Sequence, residues 1–295
     1  VQKVIRYQFG GHLGNRMFEC MLAHSIAERI PGLVVAGPTL LEWGLRAAKL
    51  PLPERHARIG GHRVDVQRLA YLIGADLIDG ILTLALGCRM ELLPTRATAA
   101  RLFPANLAEG TPTPEDALVI SIRAAEILGP RHPGYRPLPI AFYARLIQET
   151  GRHPVFIGQI GDDVYSQALR ARFPQATFLP SSGPMQDFAT LRRARHLVCS
   201  ISTFAWLACW LSDAETVHMP IAGQYHPKLK QEVDLLPVAD PRYRFHLFPP
   251  DPWGGTPEEL QAAMTGAEAG AEIDREHAIR LAHPMVALEA GEGAG

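Results

Sequence analysis

The chain has 295 residues, 47% of them hydrophobic and 20% charged, with 29 Lys plus Arg set against 30 Asp plus Glu. This is an ordinary composition for a globular protein with a full core, and the length suggests about two domains. The near-zero charge balance gives no electrostatic case for nucleic acid or an anionic membrane surface, so an anionic substrate must be held by a few placed groups.

In chain order, Val4 to Phe9 (VIRYQF) alternates as a strand and leads through Gly10-Gly11 into a helical run from about Asn15 to Ile30. Met17, Phe18, Met21, Leu22, Ile26 and Ile30 fall on one face of that run, with Asn15 as its expected N-cap. Leu33 to Ala36 is a second strand. Residues 40–110 read as mostly helical, punctuated by Pro51, Pro53, Gly60-Gly61 and Gly74. Pro104 to Asp116, rich in Pro, Thr and Glu, reads as a linker.

After the linker the rhythm is regular. Strands are expected at 117–122, 154–158, 176–179, 196–200 and 216–219. Helices are expected at 139–150, 162–173, 184–195 and 203–211, the third opening on Pro184, where a missing N–H costs nothing. Short apolar strands alternating with helices argue for an α/β fold with parallel sheets covered on both faces. The domain reading is 1–110 for a first Rossmann-like domain and 111–250 for a second. Residues 251–295 read as a helical extension ending in a loose tail from Met285 to Gly295.

Cys20, Cys88, Cys199 and Cys209 form no C-x-x-C pair, which leaves a zinc or redox motif unsupported. Cys20 and Cys199 sit in apolar segments and read as core residues. The opening Val1-Gln2-Lys3-Val4 lacks a signal-peptide pattern. The most apolar stretch, Leu197 to Leu211, is shorter than the roughly 20 residues a spanning helix needs. The expectation is an intracellular, reducing location with at most peripheral membrane association.

Ligands of open α/β sheets bind beyond the carboxyl ends of strands, which singles out four segments. Gly10 to Phe18 follows a strand and opens a helix, where glycines allow close backbone approach and the helix N-terminus attracts anions. It lacks the G-x-G-x-x-G pattern of a dinucleotide fold, and a plain tight turn explains it as well. Ser121 to Glu126 places Arg123 at a strand end, its planar fork suited to phosphate; a surface ion pair with Glu126 is the alternative. Ser200 to Trp206 offers the hydroxyls of Ser202 and Thr203 at a helix start, or simple capping by Ser202. Asp187 can accept two hydrogen bonds from a guanine-like base edge, or can be a helix-terminal carboxylate.

Taken together, Gly11-His12-Leu13-Gly14-Asn15-Arg16-Met17-Phe18, Ser121 to Glu126, Pro137 to Tyr143 and Ser202 to Leu211 resemble, in order, motifs of glycosyltransferase family 11, the α-1,2-fucosyltransferases. Ser121, Ala124, Glu126 and Arg16 stand where that family has His, Arg, Asp and Gln. The resemblance implies a GT-B fold of two facing Rossmann-like domains. It also implies an inverting, metal-independent transfer of fucose from GDP-fucose to a glycan hydroxyl, such as a galactoside 2-hydroxyl. No cofactor is implied beyond the donor substrate. Arg123 would hold the diphosphate beside Ser202, Thr203 and Phe204, with Asp187 on guanine and Gly14 and Asn15 on the donor. Glu126 is the candidate general base, an ion pair that orients Arg123 being the alternative, and Arg123 and Asn15 complete the catalytic set; His12 and Arg16 either face the acceptor or are turn and surface residues. The alternatives are a GT-B glycosyltransferase with another nucleotide sugar, or a non-catalytic carbohydrate or nucleotide binder. A hydrolase or kinase is weakened by the absence of G-x-S-x-G and G-x-x-x-x-G-K-[ST].

Overall fold

The computed structural model describes residues 2–130 and 134–283. The chain forms two compact units, Val1–Leu107 with Glu232–Leu235, and Ala108–Gln231 with Leu236–Gly295.

The first unit contains β1 (Lys3–Tyr7), α1 (Leu13–Arg29), β2 (Leu33–Ala36), β3 (His56–Ile59), α2 (Val66–Gly74), β4 (Gly80–Thr83) and α3 (Arg96–Leu102). Its sheet has the order β2-β1-β4-β3, and every pairing is parallel. The apolar stripe of α1 does what its spacing requires: Met17, Phe18, Met21, Leu22 and Ile26 are all buried. Ile5, Tyr7, Ile81 and Leu69 join part of this stripe in a single core cluster. The Tyr7 hydroxyl leaves that core by donating to Pro38 O at 2.9 Å.

Two sequence expectations are corrected here. The stretch 40–110 is not mostly helical, because β3 and β4 lie within it. Both strands have four residues, too few for a period of two to stand out. β4 opens on Gly80, which suppresses strand propensity, yet a Cβ there would sit 2.8 Å from Pro53 Cδ and 3.3 Å from Val4 O. Nor is Asn15 the N-cap of α1; the helix starts at Leu13 with His12 in the cap position, which places Asn15 in the first turn.

The second unit contains β5 (Leu118–Ile122), α4 (Ile140–Thr150), β6 (Pro154–Gly158), α5 (Val164–Arg172), β7 (Thr177–Phe178), α6 (Pro184–Arg193), β8 (His196–Val198), α7 (Thr203–Leu211), β9 (Thr216–Ile221), β10 (Tyr243–Leu247), α8 (Pro257–Thr265), β11 (Ala271–Ile273) and α9 (Arg275–Ala282). The sheet order is β11-β10-β9-β8-β5-β6-β7. All neighbours are parallel except β10 and β11. β5 lies inside the sheet, with Leu118, Val119 and Ile120 fully buried, as a near-continuous apolar strand covered on both faces should be. Capping fixes several helix starts: Asp163 accepts from Ser166 N, Asp274 from His277 N, and Thr256 and Glu259 form a reciprocal capping box. Each such cap stabilises its helix by about 1 kcal/mol.

The α/β class with parallel sheets in two units, expected for the GT-B type, is thus present, with one antiparallel edge that the sequence did not suggest. Residues 251–283 carry two helices and also β11, which extends the sheet. The tail expected from Met285 onward lies outside the described residues. All four cysteines are buried and free. Among the described residues no helix is long and apolar enough to cross a membrane, and no group of three or more His, Cys, Asp or Glu side chains is arranged to hold a metal ion.

Candidate functional site

In the second unit the chain builds β5, β6 and β7 in one direction and then β8, β9 and β10 in the other. The reversal falls between β5 and β8, the switch point at whose carboxyl ends ligands of open α/β sheets bind. Register confirms the juxtaposition: Ile120 of β5 pairs with Val198 of β8. One step further, the buried hydroxyls of Ser121 and Ser200 meet at 2.9 Å. Arg123 follows two residues after Ser121, as Ser202 follows two residues after Ser200 at the entrance to α7.

Arg123 is held by a short network. Its Nη2 donates to Glu126 Oε1 at 2.5 Å, while Glu126 Oε2 accepts from Gln159 Nε2 at 2.9 Å. Gln159 also accepts the Ala124 N–H through Oε1 at 3.1 Å, and its own backbone N–H donates to Ile122 O at 3.0 Å. Between these contacts Ala125 adopts φ +52°, a left-handed conformation that non-glycine residues rarely take. Gly158, at φ +114°, lets β6 close on β5; a Cβ there would lie 2.5 Å from Ile122 O. Burial opposes ionisation of Glu126, but its backbone amide, the Arg123 charge and the Gln159 amide together hold the carboxyl below its ordinary range. Arg123 Nε is buried and has no hydrogen-bond partner among the described residues. An unmet donor on a charged group is costly.

α7 begins as expected at Thr203. Ser202 is its N-cap residue in extended conformation, but the Ser202 side chain makes no capping hydrogen bond, so the plain capping explanation does not hold. Thr203 is buried, and Phe204 packs edge-on against Phe188 with centroids 5.2 Å apart. Phe204 is thereby tied to α6, and only its backbone N–H is placed at the helix start. Asp187, in the first turn of α6, accepts from Ser181 Oγ at 2.6 Å and from Ser182 N at 3.3 Å. Both its oxygens thus serve its own turn, the structural alternative the sequence left open.

The first unit places the glycine segment at the carboxyl end of β1. Gly11 has φ +71°, and a Cβ on it would meet Asn15 Nδ2 at 2.8 Å. Gly14 is buried inside the first turn of α1, with Asn15 half-buried beside it. Arg16 Nη2 pairs with Glu42 at 2.6 Å, and its guanidinium lies 5.7 Å from the Phe9 ring centroid, so its charge is already met. His12 is exposed. Glu19, which the sequence reading passed over, is buried at 5% exposure and accepts the Gly10 N–H with both oxygens, at 3.1 and 3.0 Å. Burial pushes its carboxyl up to about 7, against the lowering effects of the Gly10 amide and the Arg16 charge.

Sequence reasoning singled out Arg123 and the segment from Ser200 into α7, and it passed over Gln159 and Glu19. Gly158 followed by a polar residue at a strand end was the available signal for Gln159. For Glu19 it was a carboxylate within the apolar stripe of α1.

No protein-family model matches the chain, and no curated protein matches it. Solved structures similar to it include the ADP-heptose LPS heptosyltransferase II of E. coli, at TM-score 0.45 and 13% identity over 89% of this chain and 98% of that one. A family 9 glycosyl transferase from Veillonella parvula DSM 2008 is similar at TM-score 0.45 and 11% identity over 97% of each chain. The dodecameric iron-containing heptosyltransferase TibC, in complex with ADP-D-beta-D-heptose, is similar at TM-score 0.40 and 10% identity over 93% of this chain and 67% of that one. These findings correct the resemblance to family 11: the similar structures named here are described as heptosyltransferases or family 9, not as fucosyltransferases. Glycine turns into a helix, a strand-end Arg and a hydroxyl-led apolar helix are features that parallel strand–helix units need for general reasons. Four such segments in order did not define one family.

Proposed function

We propose that this chain is a glycosyltransferase that takes its sugar from a nucleoside diphosphate and that the donor diphosphate binds at the switch point between β5 and β8. The observation that carries the reading is Arg123 in the loop leaving β5 at that switch point, with an Nε that has no hydrogen-bond partner among the described residues. Two kinds of positive group follow the two strands that flank the switch point: a guanidinium after β5 and the N-terminal amides of α7 after β8. In this reading both stabilise the charge that develops on a leaving diphosphate, commonly the largest electrostatic term in such a transfer.

In this reading Arg123 contacts the diphosphate, with the Ser202 and Thr203 hydroxyls and the Phe204 amide alongside. Glu126 orients Arg123. Its two oxygens are engaged by Arg123 and Gln159 and its carboxyl is held low, which makes it a poor proton acceptor. The acceptor is a glycan hydroxyl. The phosphate charge is met by protein groups, and the sequence has no D-x-D; transfer is therefore expected to persist in EDTA, and strict dependence on Mn²⁺ or Mg²⁺ would refute this part of the mechanism.

The deciding experiment is a nucleotide-sugar panel read by thermal shift and by nucleotide release. ADP-heptose belongs in the panel with other ADP-, GDP- and UDP-sugars. One donor should raise the melting temperature, by an amount equivalent to about 2.7 kcal/mol at 100 times its Kd, and should release nucleotide in the presence of a glycan. Stabilisation without release would identify a binding protein, and no response to any member would reject the reading.

A further inference from the structure

At the opposite, amino-terminal end of the second sheet lies a cavity of about 280 Å³ lined by Glu149, Thr150, Arg152, His196, Thr216, His218, Arg244 and Glu272. Its floor is part of a buried chain of polar side chains. Arg145 Nη2 lies 3.0 Å from His246 Nδ1, and His246 Nε2 lies 2.9 Å from His218 Nδ1. A guanidinium can only donate, so His246 Nδ1 accepts and its proton sits on Nε2. That proton is donated to His218 Nδ1, which leaves the His218 proton on Nε2. The direction of the whole chain is thereby fixed by Arg145, and it ends in an N–H. His218 is 8% exposed, and its Nε2 has no partner among the described residues.

The surroundings are cationic. Arg244 has no side-chain partner among the described residues, and Arg152 donates only to the backbone oxygen of Asp116, at 3.1 Å. Of the two carboxylates lining the cavity, Glu149 has both oxygens taken by Arg145 Nη1, at 3.0 and 2.9 Å. Glu272, the other, is exposed. His196, buried at the first position of β8, has Nε2 3.8 Å from Glu215. Burial, reinforced by Arg145, Arg244, His196 and Arg152, pushes His218 down to about 4, so it stays neutral and keeps the single-proton form deduced above.

We propose that this cavity is a second ligand site, separate from the donor site, which binds a phosphate group through the His218 Nε2–H and the guanidiniums of Arg152 and Arg244. Two arginine forks, Arg244 exposed and Arg152 half-buried, suit oxyanions, and a buried neutral donor with no acceptor among the described residues adds a fixed direction to that recognition. The proposal does not depend on the transferase reading.

The test is nitrogen-15 NMR of the histidine side chains near neutral pH, with inorganic phosphate titrated at constant ionic strength against chloride. His218 should carry its proton on Nε2, and its resonance should shift saturably with phosphate. Arg244→Gln and Arg152→Gln should each weaken phosphate about tenfold with melting temperature unchanged. These variants keep the test decisive if His218→Ala fails to fold. A proton on Nδ1 of His218, a phosphate response no larger than that to chloride, or full affinity in both arginine variants would overturn the proposal.

Discussion

The hydroxyls of Ser121 and Ser200 meet at 2.9 Å although 79 residues separate them in the chain. Both are buried, so the bond excludes water and ties the ends of two neighbouring strands that belong to opposite halves of the sheet. The loop bearing Arg123 and the turn into α7 therefore start from a common fixed point.

Arg123→Ala should reduce transfer by on the order of 100-fold or more, the usual effect of losing a charge-stabilising donor. The ion pair it loses with Glu126 is partly exposed and such pairs contribute little, so the melting temperature should change little. Nucleotide release in saturating donor and acceptor measures the first quantity and calorimetry the second; unimpaired release would remove Arg123 from the mechanism.

Gln159→Met keeps the length of the side chain and deletes both of its hydrogen bonds. Glu126, no longer held by the Gln159 amide, should regain part of its ordinary acidity constant. A depressed carboxyl supports its ion pair above its own pKa and loses it as pH falls through that value. The acidic limb of the activity profile should accordingly move to higher pH in the variant. A limb that stays in place would mean that Gln159 does not set the Arg123 geometry through Glu126.

Glu19 gives the opposite sign. Its carboxyl is raised from an ordinary 4.5 to about 7 in the folded chain. The folded state thus holds the proton more tightly, its stabilising effect is complete below about 4.5, and it is lost as pH rises through about 7. Denaturant unfolding of wild type and Glu19→Gln should show the wild type losing ground as pH rises across that window, by about 3 kcal/mol at most. A difference independent of pH would show that Glu19 is ionised throughout.

Gly158→Ala should destabilise by about 2–3 kcal/mol, since the residue combines a positive φ with a backbone oxygen 2.5 Å from any Cβ. Equilibrium unfolding tests this directly, and a variant as stable as wild type would show that β6 can withdraw from β5.

The second unit was readable largely because apolar strands alternate regularly with helices: β6 and α7 fall at their expected bounds. β3, β4 and β11 were not, because strands of three or four residues carry too little periodicity, and β11 takes its partner from the sheet rather than from its own sequence. Arg123 was legible as a strand-end cation. Its supporting shell was not, since the contact between Gln159 and Ala124 depends on the register of β5 against β6, which appears only in three dimensions. Asp187 and Arg16 show the reverse case: side chains of suitable chemistry whose neighbours Ser181 and Glu42 already satisfy them.

The first unit is not a continuous stretch of chain, because Glu232–Leu235 belongs to it. Asp234 N donates to Cys88 O at 2.9 Å, and Met90 N donates to Asp234 O at 2.8 Å, so this short return segment stitches the loop after β4. A gene fragment stopped near residue 107 would encode every strand of that sheet and still leave Cys88 and Met90 with severed main-chain bonds. Excised halves of this protein should therefore be designed with residues 232–235 grafted back.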